Sequence, residues 1–175
     1  MSALLTLNAL SKDEAQQAFY QCCSSAVWAT QMVSCLPFKS EEDLFSQADR
    51  LWNGCKLADF LEAFSHHPRI GGDIETLRKK FGATAGWASQ EQSGVSGASE
   101  EVLRALSSGN SEYESKFGFV FLICATGKSA AEMLVALQKR LPNTKDQEIV
   151  NAKVEQGKIT QIRLKKLMEQ LNGNS

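Results

Sequence analysis

The sequence has little of several residue types, and these shortages exclude classes of protein. Only two histidines occur among the 175 residues, and 19 Lys and Arg stand against 20 Asp and Glu, which gives a formal net charge of -1. A chain without a basic excess is not expected to bind nucleic acid or an anionic membrane surface. No apolar run approaches the roughly 18 residues that a membrane span requires. The remaining composition, 43% hydrophobic, is that of a globular chain, and its length predicts one domain over residues 1–175.

Cysteine is present in an odd number, and its spacing matches no zinc-binding pattern. Most of the cysteines lie in apolar stretches with a helical pattern, where cysteine behaves as a small hydrophobic residue. We therefore expect thiols that form no disulfide, a reducing compartment and no metal site. A catalytic cysteine assisted by a histidine is an alternative that the pattern leaves open. The five residues are Cys22, Cys23, Cys35, Cys55 and Cys124.

Neither end of the sequence resembles a targeting signal. The first ten residues lack the charged segment and the long apolar core of a signal peptide. The last four residues, Asn-Gly-Asn-Ser, are not a peroxisomal signal of the Ser-Lys-Leu type. We expect a cytoplasmic protein, with a peroxisomal location as the alternative.

Helical patterns cover nearly the whole chain. Ser11 is a candidate N-cap of the first predicted helix. Ser40 and Ser129, each followed three residues later by an acidic residue, are typical of capping boxes. Behind such caps apolar residues recur on one face, as Ala48 and Trp52 do. The one strand-like run, 117–127, has no partner strand, so we expect buried irregular or helical chain there. The sequence predicts an all-α domain of about eight or nine helices, at about 11–23, 26–36, 40–54, 56–65, 73–80, 100–106, 129–141 and 144–171.

The two histidines stand side by side at the end of a predicted helix, in the segment His-His-Pro-Arg-Ile-Gly-Gly at 66–72. Pro68 lacks an N–H and disfavours helical backbone at His67, so the helix must end here. The unperturbed pKa of histidine is near neutrality, which suits acid–base catalysis. The alternative is a pair of loop histidines that mark a helix end, and the local pattern does not decide between the two.

Two charged residues stand out further along the chain. Arg163 shares a helical face with Ile159, Leu167 and Leu171, at a spacing of four residues. A buried guanidinium needs an anionic partner, which is either an internal carboxylate or the carboxylate of a substrate. Glu91 lies in a Gln-Glu-Gln run, which is either a solvated turn or part of a polar substrate site.

Four segments together carry a family resemblance: His66 to Gly71, Ser89 to Gly94, Phe117 to Ser129 and Lys158 to Leu164. In order and spacing they closely resemble the OHCU decarboxylase family, where OHCU is 2-oxo-4-hydroxy-4-carboxy-5-ureidoimidazoline. The resemblance extends over nearly the whole chain. The histidine–proline segment alone is a weak signal, and the combination of four segments makes the resemblance specific.

The resemblance implies an all-α, cofactor-free lyase of urate degradation, part of purine metabolism, that usually acts as a homodimer. Such an enzyme converts OHCU, its small-molecule partner, into S-allantoin with loss of CO2. The implied catalytic residues are His67 for proton transfer, Glu91 for holding hydroxyl or ureido N–H groups and tuning the histidine, and Arg163 for anchoring an anionic oxygen. The implied substrate contacts, with no metal among them, are Pro68, Ser89, Gln92, Phe121, Leu122, Ile123, Cys124 and Ala125.

One position departs from the family pattern. The family's serine three residues before the glutamate is here Ala88, and Ser89 stands only two residues before Glu91. Either this turn is shifted or the hydroxyl contact is rearranged.

Two rival functions stay open beside the resemblance. One is a hydrolase or isomerase that acts on a related ureide. The other is a helical interaction module without catalysis, for which the Met, Leu and Ile residues of the last helix would form a docking face.

Overall fold

The computed structural model describes residues 2–67, 69, 74–77 and 99–173. Within these ranges the chain forms nine α-helices and no strand, so the predicted all-α class is confirmed. None of the described helices combines the length and the apolar character needed to cross a bilayer. The helices are α1 (Ala3–Asn8), α2 (Lys12–Cys22), α3 (Ala26–Ser34), α4 (Glu41–Gly54), α5 (Leu57–Ser65), α6 (Ile74–Leu77), α7 (Glu100–Phe117), α8 (Ala130–Arg140) and α9 (Lys145–Gly173).

The chain divides into two compact units. The first comprises Met1–His66 and Lys153–Ser175, and the second comprises His67–Ala152. The boundary within α9 therefore falls between Ala152 and Lys153. The expectation of a single domain over residues 1–175 stays a prediction.

The core of the first unit is built around Trp28 of α3. Its ring meets the Phe19 ring edge-on with centroids 6.2 Å apart, and its indole N–H donates to the carbonyl of Ala48 at 3.0 Å. The indole is fully buried, so this hydrogen bond satisfies a donor that would otherwise be lost from water. The predicted N-cap at Ser11 is present and is part of a capping box, with the Glu14 carboxylate accepting from the Ser11 N–H at 2.9 Å. At Ser40 the hydroxyl accepts from the Asp43 N–H at 3.1 Å, as an N-cap without the reciprocal bond of the predicted box. Side-chain caps thus define where these helices begin, and the buried Trp28 ring joins α3 to α2 and α4.

The first helix, α1, was not predicted from the sequence. Ser2 caps it, its Leu7 is fully buried, and the N–H of Ala3 donates to Asn172 Oδ1 at 2.8 Å. A helix of six residues is too short to hold its shape alone in water. Its stability therefore comes from contacts with distant parts of the chain, which a local pattern does not reveal.

The buried face of α9 differs by one residue from the predicted one. Ile159, Arg163, Leu167 and Leu171 are only half-buried. In the first unit, the buried positions are displaced by one residue toward the C-terminus in each turn. Two of them are polar and form a hydrogen bond with each other, with Gln156 Nε2 donating to Thr160 Oγ1 at 3.0 Å. Because that stripe contains polar residues, hydrophobicity alone selects the wrong face. The buried positions are Gln156, Thr160, Leu164 and Met168.

Helix α9 continues through Gly157. A Cβ at this glycine would lie 3.6 Å from Cδ1 of Trp52. The Trp52 indole N–H also donates to the carbonyl of Lys153 at 3.0 Å. Gly157 therefore lies against the Trp52 ring of α4, in the contact that joins the two helices.

In the second unit, α7 is longer than predicted, ending at Phe117 rather than near Leu106. Ser-Ser-Gly-Asn-Ser at 107–111 has low helix propensity, but Gly109 lies against α8, where a Cβ would be 2.7 Å from Leu137 Cδ2. The Asn110 side chain donates to the carbonyl of Leu106 at 2.8 Å. Close packing against α8 therefore outweighs the weak local preference.

The strand-like run after α7 is buried and irregular, as predicted. Residues 119–125 belong to no helix, and 121–124 are buried. The ring of Tyr113 lies at its centre, with centroids 4.5 Å from Phe117, 5.9 Å from Phe119 and 5.3 Å from Phe121. These aromatic contacts hold a segment that has no backbone ladder of its own.

Candidate functional site

The two histidines occupy different environments. Helix α5 ends at Ser65, and His66 is its C-terminal cap, with its N–H bonded to the carbonyl of Ala63 at 3.3 Å. The exposed His66 ring meets Tyr20 edge-on, with Nε2 at 3.3 Å from the tyrosine hydroxyl. His67 follows directly and is half-buried. His66 is thus a helix-end residue, and His67 is the member of the pair that starts the second unit.

Several predicted site residues lie outside the described residues. They are Pro68, Ser89, Glu91 and Gln92, and the question of the shifted serine belongs with them. Of the predicted catalytic set, the structure therefore describes His67 in the second unit and Arg163 in the first. The joint site of His67, Glu91 and Arg163 stays a prediction.

Arg163 is half-buried rather than buried, which corrects the expectation from the sequence. Its Nη1 donates to the carbonyl of Cys22 at 3.5 Å, a weak contact at the limit of hydrogen bonding. Among the residues described, no carboxylate forms an ion pair with this guanidinium. The internal-carboxylate alternative thus finds no partner in the described part of the chain, and most of the five N–H donors of Arg163 point to no described acceptor.

Three cysteines of the first unit, two of them near Arg163, are poor nucleophiles. Burial raises the pKa of the Cys22 thiol to about 12, and burial likewise raises the pKa of Cys23 to about 12 and that of Cys55 to about 11. The reactive form of cysteine is the thiolate, so these thiols are inert at neutral pH. The alternative of a catalytic cysteine therefore finds no support at these three positions, and all five cysteines are free thiols.

The segment 121–125, the predicted backbone contact for substrate, is bound by two cations. Arg140 Nη1 donates to the carbonyl of Leu122 at 2.7 Å, and Lys128 Nζ donates to the carbonyl of Cys124 at 3.1 Å. By contrast, the backbone N–H groups of Leu122 and Ile123 donate to no other described residue. A buried backbone N–H needs an acceptor, so these two donors are suited to an anionic or carbonyl oxygen.

Behind this segment lies a buried polar network that the sequence did not reveal. Its centre is Glu148, which is fully buried and accepts from Arg140 Nε at 2.7 Å, Asn143 at 2.7 Å, Asn151 at 2.8 Å and the Tyr113 hydroxyl. Burial alone would raise the pKa of Glu148, but the hydrogen bonds from Tyr113 and the other donors outweigh it and lower the pKa. We call these five residues the Glu148 network. The one sequence feature that could have indicated the burial of Glu148 is its spacing, four residues before Ala152 and thus on the buried face of α9.

Two other features bear on site chemistry. A surface cavity of about 290 Å³ is lined by Asn143, Gln147, Val150 and Asn151, and it contains none of the predicted site residues. In the described ranges, no group of three or more His, Cys, Asp or Glu side chains is placed to hold a metal ion.

Comparison with known proteins gives consistent matches over most of the chain. A family model described as OHCU decarboxylase matches residues 8–165. The chain is 37% identical over 147 residues to the uric acid degradation bifunctional protein TTL of Arabidopsis thaliana, covering 83% of this chain and 45% of that protein. It is 27% identical over 146 residues to the 2-oxo-4-hydroxy-4-carboxy-5-ureidoimidazoline decarboxylase of Amia calva, covering 83% of this chain and 79% of that protein. The chain thus spans less than half of the length of the Arabidopsis protein.

Two solved structures have the same fold. A crystal structure of OHCU decarboxylase in the presence of (S)-allantoin superposes with a TM-score of 0.69 at 37% identity, covering 86% of this chain and 96% of that chain. A crystal structure of (S)-allantoin synthase superposes with a TM-score of 0.71 over 95% of this chain and 54% of that chain. The second is 18% identical, so it supports the fold alone.

Proposed function

The chain belongs to the OHCU decarboxylase family, and we propose on that premise that it converts 2-oxo-4-hydroxy-4-carboxy-5-ureidoimidazoline into S-allantoin and CO2. The observation that carries this proposal is the match with a solved structure that is 37% identical, spans 86% of this chain and was determined in the presence of (S)-allantoin. At this identity and coverage, a common reaction is a stronger inference than a common fold alone would allow.

The reaction requires an electron sink and one well-placed proton. When the bond between the ring carbon and the carboxylate breaks, CO2 leaves and the electron pair passes into the adjacent C=N group of the ring. A proton is then delivered to one face of the ring, which determines that a single enantiomer forms. Because the substrate itself supplies the sink, the proposed mechanism uses no cofactor.

We assign proton transfer to His67. The residue is half-buried and follows directly after His66, the C-terminal cap of α5. Positioned proton transfer by a histidine typically contributes roughly 10²- to 10⁴-fold in rate. Glu91, Pro68, Ser89 and Gln92 are assigned to substrate orientation by family resemblance.

Arg163 is assigned to an anionic oxygen of the substrate. A guanidinium binds a carboxylate through two parallel hydrogen bonds. Within the described residues its single contact is the weak bond to the Cys22 carbonyl, so its fork is available for a ligand. By family resemblance, the N–H groups of Leu122 and Ile123 are assigned to polar atoms of the substrate, and Phe121, Cys124 and Ala125 to further substrate contacts.

We further propose that residues 1–175 act as one domain in a cytoplasmic homodimer. The support is family membership, since the family model matches from residue 8 to residue 165. Light scattering is expected to give a mass of about twice the 19.2 kDa of the chain. A mass of 19.2 kDa at the concentration of the activity assay would contradict the dimer.

The test of the activity is a coupled assay. Urate oxidase and hydroxyisourate hydrolase generate fresh OHCU, and circular dichroism follows the product. The expected result is an S-allantoin signal that appears faster than the spontaneous racemic product, with one equivalent of CO2 released. Racemic allantoin formed at the spontaneous rate would refute the proposal and favour a non-catalytic helical module.

A further inference from the structure

We propose that Arg140 is a positioning residue of this enzyme, which holds the carbonyl of Leu122 so that the neighbouring backbone N–H groups meet the substrate. The inference rests on the proposed function. It concerns a residue that does not touch the substrate and acts through the segment 121–125.

Each nitrogen of the Arg140 guanidinium donates to a different acceptor. Nε donates to Glu148 at 2.7 Å, Nη1 donates to the Leu122 carbonyl at 2.7 Å, and Nη2 donates to the Tyr113 hydroxyl at 3.1 Å. The guanidinium also lies over the Phe121 ring, 4.8 Å from its centroid. One rigid, planar group therefore holds two successive residues of the irregular segment.

Glu148 prevents the guanidinium from turning. Its Oε2 accepts from Arg140 and Tyr113, and its Oε1 accepts from Asn143 and Asn151. The carboxylate is fully buried and the arginine side chain is 11% exposed, so water does not compete for these bonds. A network in which each member has its partners is rigid as well as stable.

The bond to Leu122 distinguishes positioning from simple charge pairing. An arginine needed only to neutralise Glu148 could place its fork entirely on that carboxylate. Here Nη1 instead binds a carbonyl in a segment that has no helix or strand ladder to define its path. Leu122 itself and the next residue, Ile123, are two buried residues of this segment whose N–H groups donate to no other described residue. Positioning by Arg140 thus determines where those two donors lie.

The test compares Arg140→Lys with wild type. Lysine keeps the positive charge beside Glu148 but has a single nitrogen, so it cannot bind Glu148, Leu122 and Tyr113 in this geometry at once. Removing a charge-assisted hydrogen bond that holds the site is expected to raise KM for OHCU by roughly 10- to 100-fold. The Kd for S-allantoin, measured by calorimetry, is expected to rise by a similar factor, while kcat falls less.

Two further variants keep the test decisive. Lys139→Met changes the exposed neighbour of Arg140 and is expected to leave KM and Kd as in wild type. Tyr113→Phe keeps the ring and removes only the hydroxyl that Arg140 and Glu148 share, so it is expected to raise KM in the same direction even if Arg140→Lys does not fold.

The outcomes separate this inference from the proposed function. A lowered melting temperature with unchanged KM and Kd, in either Arg140→Lys or Tyr113→Phe, would assign the network to stability alone and overturn the inference. Absence of turnover by the wild-type chain would instead refute the proposed function. Where wild type is active, the variants alone decide the role of Arg140.

Discussion

At the scale of single residues, the proposed function depends most on His67. His67→Asn keeps a polar side chain of similar reach but removes the group that titrates near neutrality. We expect kcat for OHCU to fall by roughly 10²- to 10⁴-fold, with stereospecific product formation lost. The coupled circular dichroism assay measures this. His66→Asn is the matched control, because His66 contacts Tyr20 at a helix end, and it is expected to retain turnover. Near-normal turnover by His67→Asn would show that another group transfers the proton.

Glu148 is a second single residue with a measurable signature. Its folded-state pKa lies below that of a free glutamate, about 4.3. A carboxyl whose pKa is lowered on folding contributes stability that is fully present above its unfolded pKa and is lost as the pH falls through its folded value. Breaking a buried pair typically costs about 3–5 kcal/mol, so Glu148→Gln is expected to lower the free energy of unfolding by about that amount at pH 7.

Urea unfolding between pH 3 and pH 7 measures this effect. The difference between wild type and Glu148→Gln is expected to shrink as the pH falls below the unfolded value of about 4.3, because the unfolded chain then binds a proton that the folded carboxylate does not. The difference is lost once the folded carboxylate is protonated as well. The control is Glu112→Gln at an exposed position of α7, expected to stay within about 0.5 kcal/mol of wild type. A difference that stays constant over the whole pH range would contradict an ionised, hydrogen-bonded Glu148.

At the scale of secondary-structure elements, two glycines at helix ends test how the helices stop. Gly118 caps α7 with φ of +82°, a left-handed conformation that side chains with a Cβ adopt at a cost. Gly54 is the last residue of α4, has ordinary φ, and a Cβ there would meet nothing within 4 Å. Gly118→Ala is therefore expected to lower the free energy of unfolding by about 1 kcal/mol. Gly54→Ala is expected to be neutral or to stabilise by up to about 1 kcal/mol.

Chemical denaturation of the two variants and wild type measures the change in the free energy of unfolding at each glycine. Equal effects of the two alanines would mean that the left-handed cap does not determine the end of α7. The comparison is well controlled because the nearest atom to a Cβ at Gly118 is Lys145 Nζ, at 3.9 Å. Steric crowding is thereby excluded, and only backbone conformation differs between the two sites.

At the scale of the whole molecule, thiol reactivity reports folding. Cys22, Cys23 and Cys124 are buried, whereas Cys35 and Cys55 are half-buried. Burial both hinders access and, for Cys22 and Cys23, raises the pKa to about 12, so the thiolate is scarce at neutral pH. In native buffer a thiol reagent such as DTNB is expected to modify the half-buried Cys35 first, well before Cys22 and Cys23. Cys55 is half-buried as well, but burial raises its pKa to about 11, so it is expected to react more slowly than Cys35.

All five cysteines are expected to react quickly in denaturant, which provides the control for total thiol content. Mass spectrometry of the partly modified protein identifies which positions react first. Similar native rates at Cys22 and Cys35 would contradict the burial of α2's C-terminal residue. A content below five thiols in denaturant would contradict the absence of disulfides.

Sequence patterns identified the elements well where the determining contacts are local. The caps at Ser11, Ser129 and Thr144 bond residues three apart, and all three are present. The end of α5 shortly before Pro68 follows from backbone chemistry in the same way. Helix α4 ends at Gly54 as predicted, although this glycine is not in the left-handed conformation of a glycine cap. The family segments are also continuous pieces of sequence, so the amino-acid sequence alone is enough to recognise the family.

Tertiary structure alone decided which surfaces these helices bury and which groups meet. Helix α7 continues through a Ser-Gly-Asn stretch because Gly109 packs against Leu137 of α8, a contact between residues far apart in sequence. The buried stripe of α9 contains Gln156 and Thr160 because their side chains satisfy each other, so hydrophobicity could not find it. The bond from Arg140 to the Leu122 carbonyl could not be predicted either, because it belongs to a network that forms only when α7, α8 and α9 are packed. Local hydrogen bonds thus determined the helices from the sequence, whereas the packing of distant side chains determined the buried surfaces and the position of the irregular segment 121–125.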